Sequence, residues 1–424
     1  MNKKNGRKIY VIFTADICMT GGMQCWVAGK AKSLEQLGWE VHIFFSSIGK
    51  KKKAIISSLD KYVGGRIVEL HHTPTFYPRI IQDRVLKRLL QSIGETTPED
   101  TIYIESQDEN AMWAEIIASR LKGKHFFFIC NEKFRKPYHN YEDHMDFYDF
   151  KHRRREMAGE VDDELQRFFD GIKTVSPEER YTFLLDEDPI QETDNDKVNQ
   201  LRRYDWNICY IGRALKEYVP NIYSGVAAFS KKHPEKKIQF IILGDAKDRK
   251  LLIDSTLKGI DNLTITELGN VVPIPKSLFP KIDVAIAGSG SARCAVYEGV
   301  PTILASPASH LSSGLLGYDT KDFLDCEQGE GVIVDSFDNQ LERVLVDKVQ
   351  NKLKFDFIPK DDPMNCTLQN LKLFEDSEQS LEYFSEDSLR QEKYINYFEI
   401  SRLYFKNIVK TFSFYLNSIT QKMK

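Results

Sequence analysis

Lys8-Ile9-Tyr10-Val11-Ile12-Phe13, then Thr20-Gly21-Gly22, then Trp26, Val27, Ala31, Leu34 and Leu37 at helical spacing, then Gly38 and Val41-His42-Ile43-Phe44-Phe45: this stretch decides the fold. The first run is short, apolar and β-rich and ends at a polar, glycine-containing turn, which predicts a buried parallel strand. Gly38 stops the helix, and the next apolar run is a second strand. Strand, glycine turn, helix, glycine stop, strand is a β-α-β crossover, and such a crossover implies a parallel sheet.

The unit recurs outward from there. Thr101-Ile102-Tyr103-Ile104 leads into a helical stretch through Leu121 and a strand from His125 to Cys130, and Gly171-Ile172-Lys173-Thr174-Val175 reads as the last strand of this half. The stretch from Asp186 to Arg203 is polar and reads as a linker or exposed loop. A second series follows, with strands at Trp206–Ile211, Lys237–Leu243, Leu263–Ile265, Asp283–Ala287, Pro301–Leu304 and Gly331–Val334, and a helix at Tyr223–Lys232. Phe405, Ile408, Val409, Phe412, Leu416 and Ile419 form a stripe at helix spacing. The expected architecture is α/β: two Rossmann-like, doubly wound domains facing across a cleft, with a C-terminal helical tail. The expected boundaries are 1–185, a linker over 186–205, 206–360, and a tail over 361–424 that packs back on the N-terminal domain.

A net charge of −3 over 424 residues gives no polyanion-binding footprint, so no nucleic-acid partner is expected. With 42% hydrophobic and 29% charged residues the chain is too apolar for disorder. The seven cysteines are scattered without a C-x-x-C pair, which fits reduced buried thiols better than a disulfide framework or zinc site. No apolar stretch reaches the roughly 18 residues needed to span a bilayer, and the basic start Met1–Lys8 lacks a cleavage site. His139, His144 and His152, with Asp143 and Asp146, fit no familiar metal spacing and read as a solvated helix face. The run Lys151-His152-Arg153-Arg154-Arg155 reads as a salt-laced surface, with contact to an anionic membrane as the sharper alternative.

Three loops at strand carboxyl ends could carry chemistry, since ligands of doubly wound sheets bind there. Asp16 to Gly22 leads into a helix whose free N–H groups suit an anion, and Gly21 and Gly22 allow close backbone approach. Gly288-Ser289-Gly290-Ser291 is a small-residue turn at a strand-to-helix junction, suited to cradle phosphate; it is neither a dinucleotide fingerprint nor a P-loop. Gly212-Arg213-Ala214-Leu215-Lys216 follows the first strand of the second half, and its two cations could neutralise a diphosphate.

Taken in order, these segments resemble the GT-B glycosyltransferases, particularly the retaining family-4 type. The resemblance rests on Thr20-Gly21-Gly22, Leu34 to Val41, Asp170 to Ser176, Tyr210-Ile211-Gly212-Arg213, Phe240 to Gly244, Leu268 to Val272, and Glu298 to Ile303. It implies transfer of a sugar from a nucleotide-diphosphate-sugar to a glycan or lipid-linked acceptor in bacterial surface polysaccharide synthesis. It also implies a cytoplasmic protein with peripheral membrane contact at the inner face, needing no metal or further cofactor. Arg213 and Lys216 would neutralise the leaving diphosphate. Gly21, Gly22, Gly244, Leu268, Gly288, Ser289, Gly290 and Ser291 would line the donor site, and Glu298 would reach a donor hydroxyl. An inverting reaction would need a base, for which Asp16 ranks ahead of Glu105 and Glu132. Counting back from Gly299 puts Cys294 and Ile286 where such members carry a glutamate pair. That departure keeps two other readings open, a non-catalytic homologue that binds a glycan or a partner, and a sugar-nucleotide epimerase.

Overall fold

A computed structural model of the chain describes residues 6–18, 21–47, 53–107, 110–130, 144–159, 164–169, 172–184, 189–244, 246, 250–288, 290–307, 309–320, 334–349, 362–377, 381–393, 395 and 397–405. The chain divides into two compact units, Met1–Glu187 with Asp361–Lys424, and Asp188–Lys360.

The first unit runs β1 (Lys8–Thr14), α1 (Gly22–Gln36), β2 (Glu40–Phe45), α2 (Arg79–Ile93), β3 (Thr101–Gln107), α3 (Ala111–Leu121), β4 (Lys124–Ile129), α4 (Met145–Arg153), β5 (Met157–Gly159) and α5 (Glu164–Phe169). Its strands form one parallel sheet in the order β2-β1-β3-β4-β5. Alternate side chains of β1 serve opposite faces: Ile9, Val11 and Phe13 join the core under α2 and α3, while the Tyr10 ring packs edge-on against Trp39. Burial on both faces explains why β1 reads as a continuous apolar run.

The predicted strand over 171–175 is a correction. Residues 172–176 are irregular: the N–H groups of Ile172 and Lys173 donate to the Phe169 carbonyl as the chain leaves α5. The Val175 N–H donates to the Gln166 side chain at 2.8 Å, so its donor goes to an amide rather than to a ladder. The fifth strand is β5, three buried residues paired with β4.

The second unit contains β6 (Ile190–Gln191), α6 (Asp196–Asn199), β7 (Trp206–Ile211), α7 (Val219–Lys232), β8 (Ile238–Leu243), α8 (Lys250–Leu257), β9 (Leu263–Gly269), β10 (Ile274–Pro275), β11 (Val284–Ala287), α9 (Gly290–Tyr297), β12 (Thr302–Ala305), β13 (Ser312–Leu315) and α10 (Phe337–Leu341). Its six-stranded sheet has the order β13-β12-β11-β7-β8-β9, parallel except for the edge strand β13. The expected strand at 331–334 falls, but for Val334, outside the described residues. The polar stretch expected as a linker is packed from residue 189 onward. β6 pairs with β10, and Ile190, Val198 and Leu201 are buried in the core beneath α9. Asn195 caps α6 through its side chain, so the polar residues there serve local structure.

The chain then re-enters the first unit as α11 (Pro363–Asp376) and α12 (Glu386–Leu389), followed by helical residues 397–405. Phe374 of α11 stacks on Tyr103 with ring centroids 4.6 Å apart and meets Tyr10 edge-on. Among the described residues no helix is long and apolar enough to cross a membrane. Of the predicted tail stripe, only Phe405 lies within the described residues, and it is exposed. Cys18, Cys25, Cys209, Cys294 and Cys366 are buried.

Candidate functional site at the switch point of the second unit

From β7 the chain winds outward to β8 and β9, and from β11 it winds the other way to β12 and β13, although β7 and β11 are hydrogen-bonded neighbours. The loops leaving their carboxyl ends therefore diverge, which is where an open α/β sheet presents a ligand crevice. Ile211 pairs with Ala287, so Gly212-Arg213 and Gly288 emerge side by side.

Three features make this turn tight. A side chain on Gly212 would meet the Tyr210 hydroxyl at 2.7 Å, and one on Gly288 would meet the Tyr218 hydroxyl at 3.0 Å and the Ala305 carbonyl at 3.1 Å. The Tyr210 hydroxyl donates to the Arg213 carbonyl at 2.9 Å, fixing the backbone that carries the guanidinium. Burial, with the Tyr218 and Tyr223 hydroxyls close by, holds the Tyr210 phenol well above its ordinary pKa, so it stays a neutral donor.

Arg213 is exposed and forms no ion pair with any described residue. Lys216 is half-buried, and its N–H donates to the Arg213 carbonyl at 3.2 Å. Gly290 and Ser291 open α9, whose first amides have no intrahelical acceptor; Ser289 lies outside the described residues. Arg213 and the N-terminus of α9 thus follow adjacent strands, an arrangement whose charge and free amides suit an anion.

The remaining predicted donor residues are placed differently. Gly244 braces the turn from behind: a side chain there would sit 1.9 Å from the Gly212 carbonyl. Leu268 is a core residue whose carbonyl accepts from Lys197 at 3.1 Å. Glu298 is half-buried at the far end of α9, about 12 Å along the axis from Gly290. Cys294 and Ile286 are both buried. Tyr210 and Tyr218 were not singled out as site residues; Tyr210 stands within the quoted Tyr210-Ile211-Gly212-Arg213 segment, but nothing in the pattern reveals a supporting role.

Asp16, Gly21 and Gly22 belong to the first unit, in the loop after β1. The Asp16 carboxylate accepts from the Cys18 N–H at 2.6 Å, and Gly21 precedes α1 with the Gln24 side chain folded against it. Glu105 is ruled out as a base: it is fully buried, ion-paired to Lys30 at 2.7 Å and accepts from the Tyr10 hydroxyl at 2.6 Å. Glu132 and His139 lie outside the described residues.

The basic run at 151–155 is also a correction. Lys151, His152 and Arg154 are buried, and so is His144, so only part of the run is solvated: Arg153, ion-paired with Asp149 at 2.9 Å, and Arg155 are exposed, as is Asp146. Lys151 donates to Glu115 at 3.0 Å and to Glu156 at 2.5 Å. Nδ1 of His125 donates to the same Glu115 at 2.7 Å, and Nε2 accepts from Ser106 Oγ at 2.7 Å. This serine–histidine–glutamate chain has triad-like spacing, but burial denies it a substrate. Burial raises the Glu115 pKa, yet Lys151 and His125 together outweigh that and hold it at about 2. Burial and the Lys151 charge push His125 down to about 4, so its imidazole is neutral. Among the described residues no group of three or more His, Cys, Asp or Glu could hold a metal.

No family model matches the chain, and no curated protein matches it. Solved structures do. A glycosyltransferase from Rickettsia africae is 12% identical with a TM-score of 0.54, covering 88% of this chain and 98% of that one. The apo structure of OtsA is 13% identical with a TM-score of 0.52, covering 87% and 99%. A candidate UDP-N-acetylglucosamine 2-epimerase from Listeria monocytogenes is 11% identical with a TM-score of 0.50, covering 86% and 95%. The fold is GT-B glycosyltransferase-like. At these identities the likeness is one of fold, and the finer kinship with the family-4 type finds no support beyond the motifs themselves.

Proposed function

We propose that the second unit binds a nucleotide-diphosphate-sugar at the β7/β11 switch point and that the chain transfers the sugar to a glycan or lipid-linked acceptor. The observation that carries this reading is the exposed Arg213 beside the glycine-braced N-terminus of α9. Departure of a nucleoside diphosphate builds negative charge on the β-phosphate, and a fixed guanidinium with preorganised amides stabilises that charge most in the transition state. Arg213 takes the leaving phosphate, Lys216 adds a second cation, and Gly288, Ser289, Gly290 and Ser291 supply amides and hydroxyls. Asp16 is the base if the reaction inverts. On this reading the chain works in the cytoplasm on an intermediate of bacterial surface polysaccharide, and no metal is required.

A second reading, a sugar-nucleotide epimerase, is favoured by the fold-level likeness to the candidate epimerase. A thermal-shift series with nucleotides and nucleotide sugars tests the shared premise, because a ligand bound only by the native form raises its melting temperature. If no nucleotide raises it, both readings fall. Release of free nucleotide diphosphate only when acceptor is present supports transfer; an isomerised donor formed without acceptor supports the epimerase.

A further inference from the structure

The turn between β7 and α7, residues 212–218, carries its own competitor for phosphate. Glu217 stands four positions after Arg213 and is exposed like it, and a carboxylate so close in the chain is a ready partner for a guanidinium. Arg213 nevertheless forms no ion pair with any described residue. The Glu217 carboxylate instead meets Nε2 of His310 at 3.2 Å. His310 comes from the loop after β12, the strand on the other side of β11 from β7, so the pair joins the two loops that flank Gly288.

The β12 loop is built to present that imidazole. The His310 N–H donates to the Ser306 carbonyl at 3.0 Å, and the Ser306 N–H donates to the Leu311 carbonyl at 2.8 Å. The Asn221 side chain at the start of α7 donates to the His310 carbonyl at 2.9 Å. This turn places His310 in the left-handed region, with a φ of +59°. Glycine adopts that conformation without the steric cost that a side chain brings. An ion pair whose side chains are 42% and 65% exposed adds little stability to offset the cost. Stability does not account for a histidine at this position. Residues held against their backbone preference concentrate where function needs them, and what this one does is engage the carboxylate that neighbours Arg213.

We propose that His310 is a positioning residue that keeps Arg213 open to phosphate by drawing Glu217 away from it. The proposal rests on the nucleotide-diphosphate reading of the switch point and names a device that serves it. The test is titration calorimetry of the full chain with UDP, GDP and ADP and with the matching monophosphates. A free diphosphate carries on its β-phosphate the charge that a donor acquires only as its sugar departs, so its affinity reads the hold on the leaving group. His310→Gly should weaken the diphosphate roughly ten-fold, leave the monophosphate within about two-fold, and not lower the melting temperature. His310→Asn should do the same, since asparagine tolerates the left-handed turn and has no atom at the Nε2 position. Glu217→Gln should change little by itself yet restore the affinity lost in His310→Gly, a coupling that a double-mutant cycle reads. With Arg213→Ala already present, His310→Gly should have no further effect. A wild-type protein that binds none of these nucleotides would overturn the nucleotide reading and this proposal together. Wild-type diphosphate binding that both His310 variants retain in full would overturn the proposal alone. So would equal losses for diphosphate and monophosphate, or a loss that Glu217→Gln does not restore.

Discussion

In the first unit Ser106, His125, Glu115 and Lys151 are all buried, with the His125, Glu115 and Lys151 side chains no more than 1% exposed; in the second, Arg213 stands exposed at the carboxyl end of β7. The first group has the residue types and spacings of a catalytic chain, but its side chains are spent on one another in a buried ion-pair network. The second has an unremarkable composition and the position that doubly wound sheets use for ligands. Placement in the fold, more than residue type, separates a structural network from a site, and substitutions can break or sharpen that contrast.

Glu115→Ala should have the largest effect. It removes the shared acceptor of Lys151, His125 and the Phe384 N–H, leaving a buried ammonium short of a partner. A loss of roughly 3–5 kcal/mol is expected, read by urea denaturation of the full chain. Ser106→Ala should leave any sugar transfer intact, and lost transfer in a folded Ser106→Ala protein would contradict the structural role. Arg213→Ala is the converse case. It should lower kcat about 10²–10³-fold while the donor KM and melting temperature barely move. Wild-type turnover in this variant removes Arg213 from the leaving-group role.

Acid should find the first unit first. His125 binds its proton near 6.5 when unfolded and only near about 4 when folded, so stability falls as pH drops through that window. Glu115 acts in the same direction: its contribution is present above its unfolded value of 4.5 and is lost as pH falls towards about 2. Equilibrium unfolding followed from pH 7 to 4 should show the decline, and His125→Gln should flatten it between 6.5 and 4.5. A stability profile flat over that range would mean that His125 is not held neutral.

Much of the frame was legible because β1, β4, β7 and β8 are buried on both faces and so read as unbroken apolar runs. β5 and β13 were not: Met157-Ala158-Gly159 is too short to show a period, and Ser312-Ser313-Gly314 carries no apolar signal. Gly212, Arg213 and Gly288 could be found from their place at strand ends. Lys151 and Arg154 were misread because a basic run looks solvated until the carboxylates of Glu115 and Glu156 are brought to it in three dimensions. Tyr210 and Tyr218 hide for the same reason, since their part is set by glycines across a turn.

The smallest effect should come from Gly244→Ala, and it asks how strictly the second unit's turn is built. The new methyl would fall 1.9 Å from the Gly212 carbonyl, a backbone atom that cannot rotate away. Either β8 or the Arg213 turn must shift, at a cost of roughly 1–3 kcal/mol. Gly259→Ala is the control: it has a φ of +86° and open space around its Cβ, so it carries backbone strain without the clash. If the crevice is held by that close approach, Gly244→Ala should weaken nucleotide binding in the thermal-shift series, while Gly259→Ala lowers stability and leaves the ligand-induced shift intact. Equal ligand shifts in the two variants would mean that Arg213 is positioned by something other than the packing of these two turns.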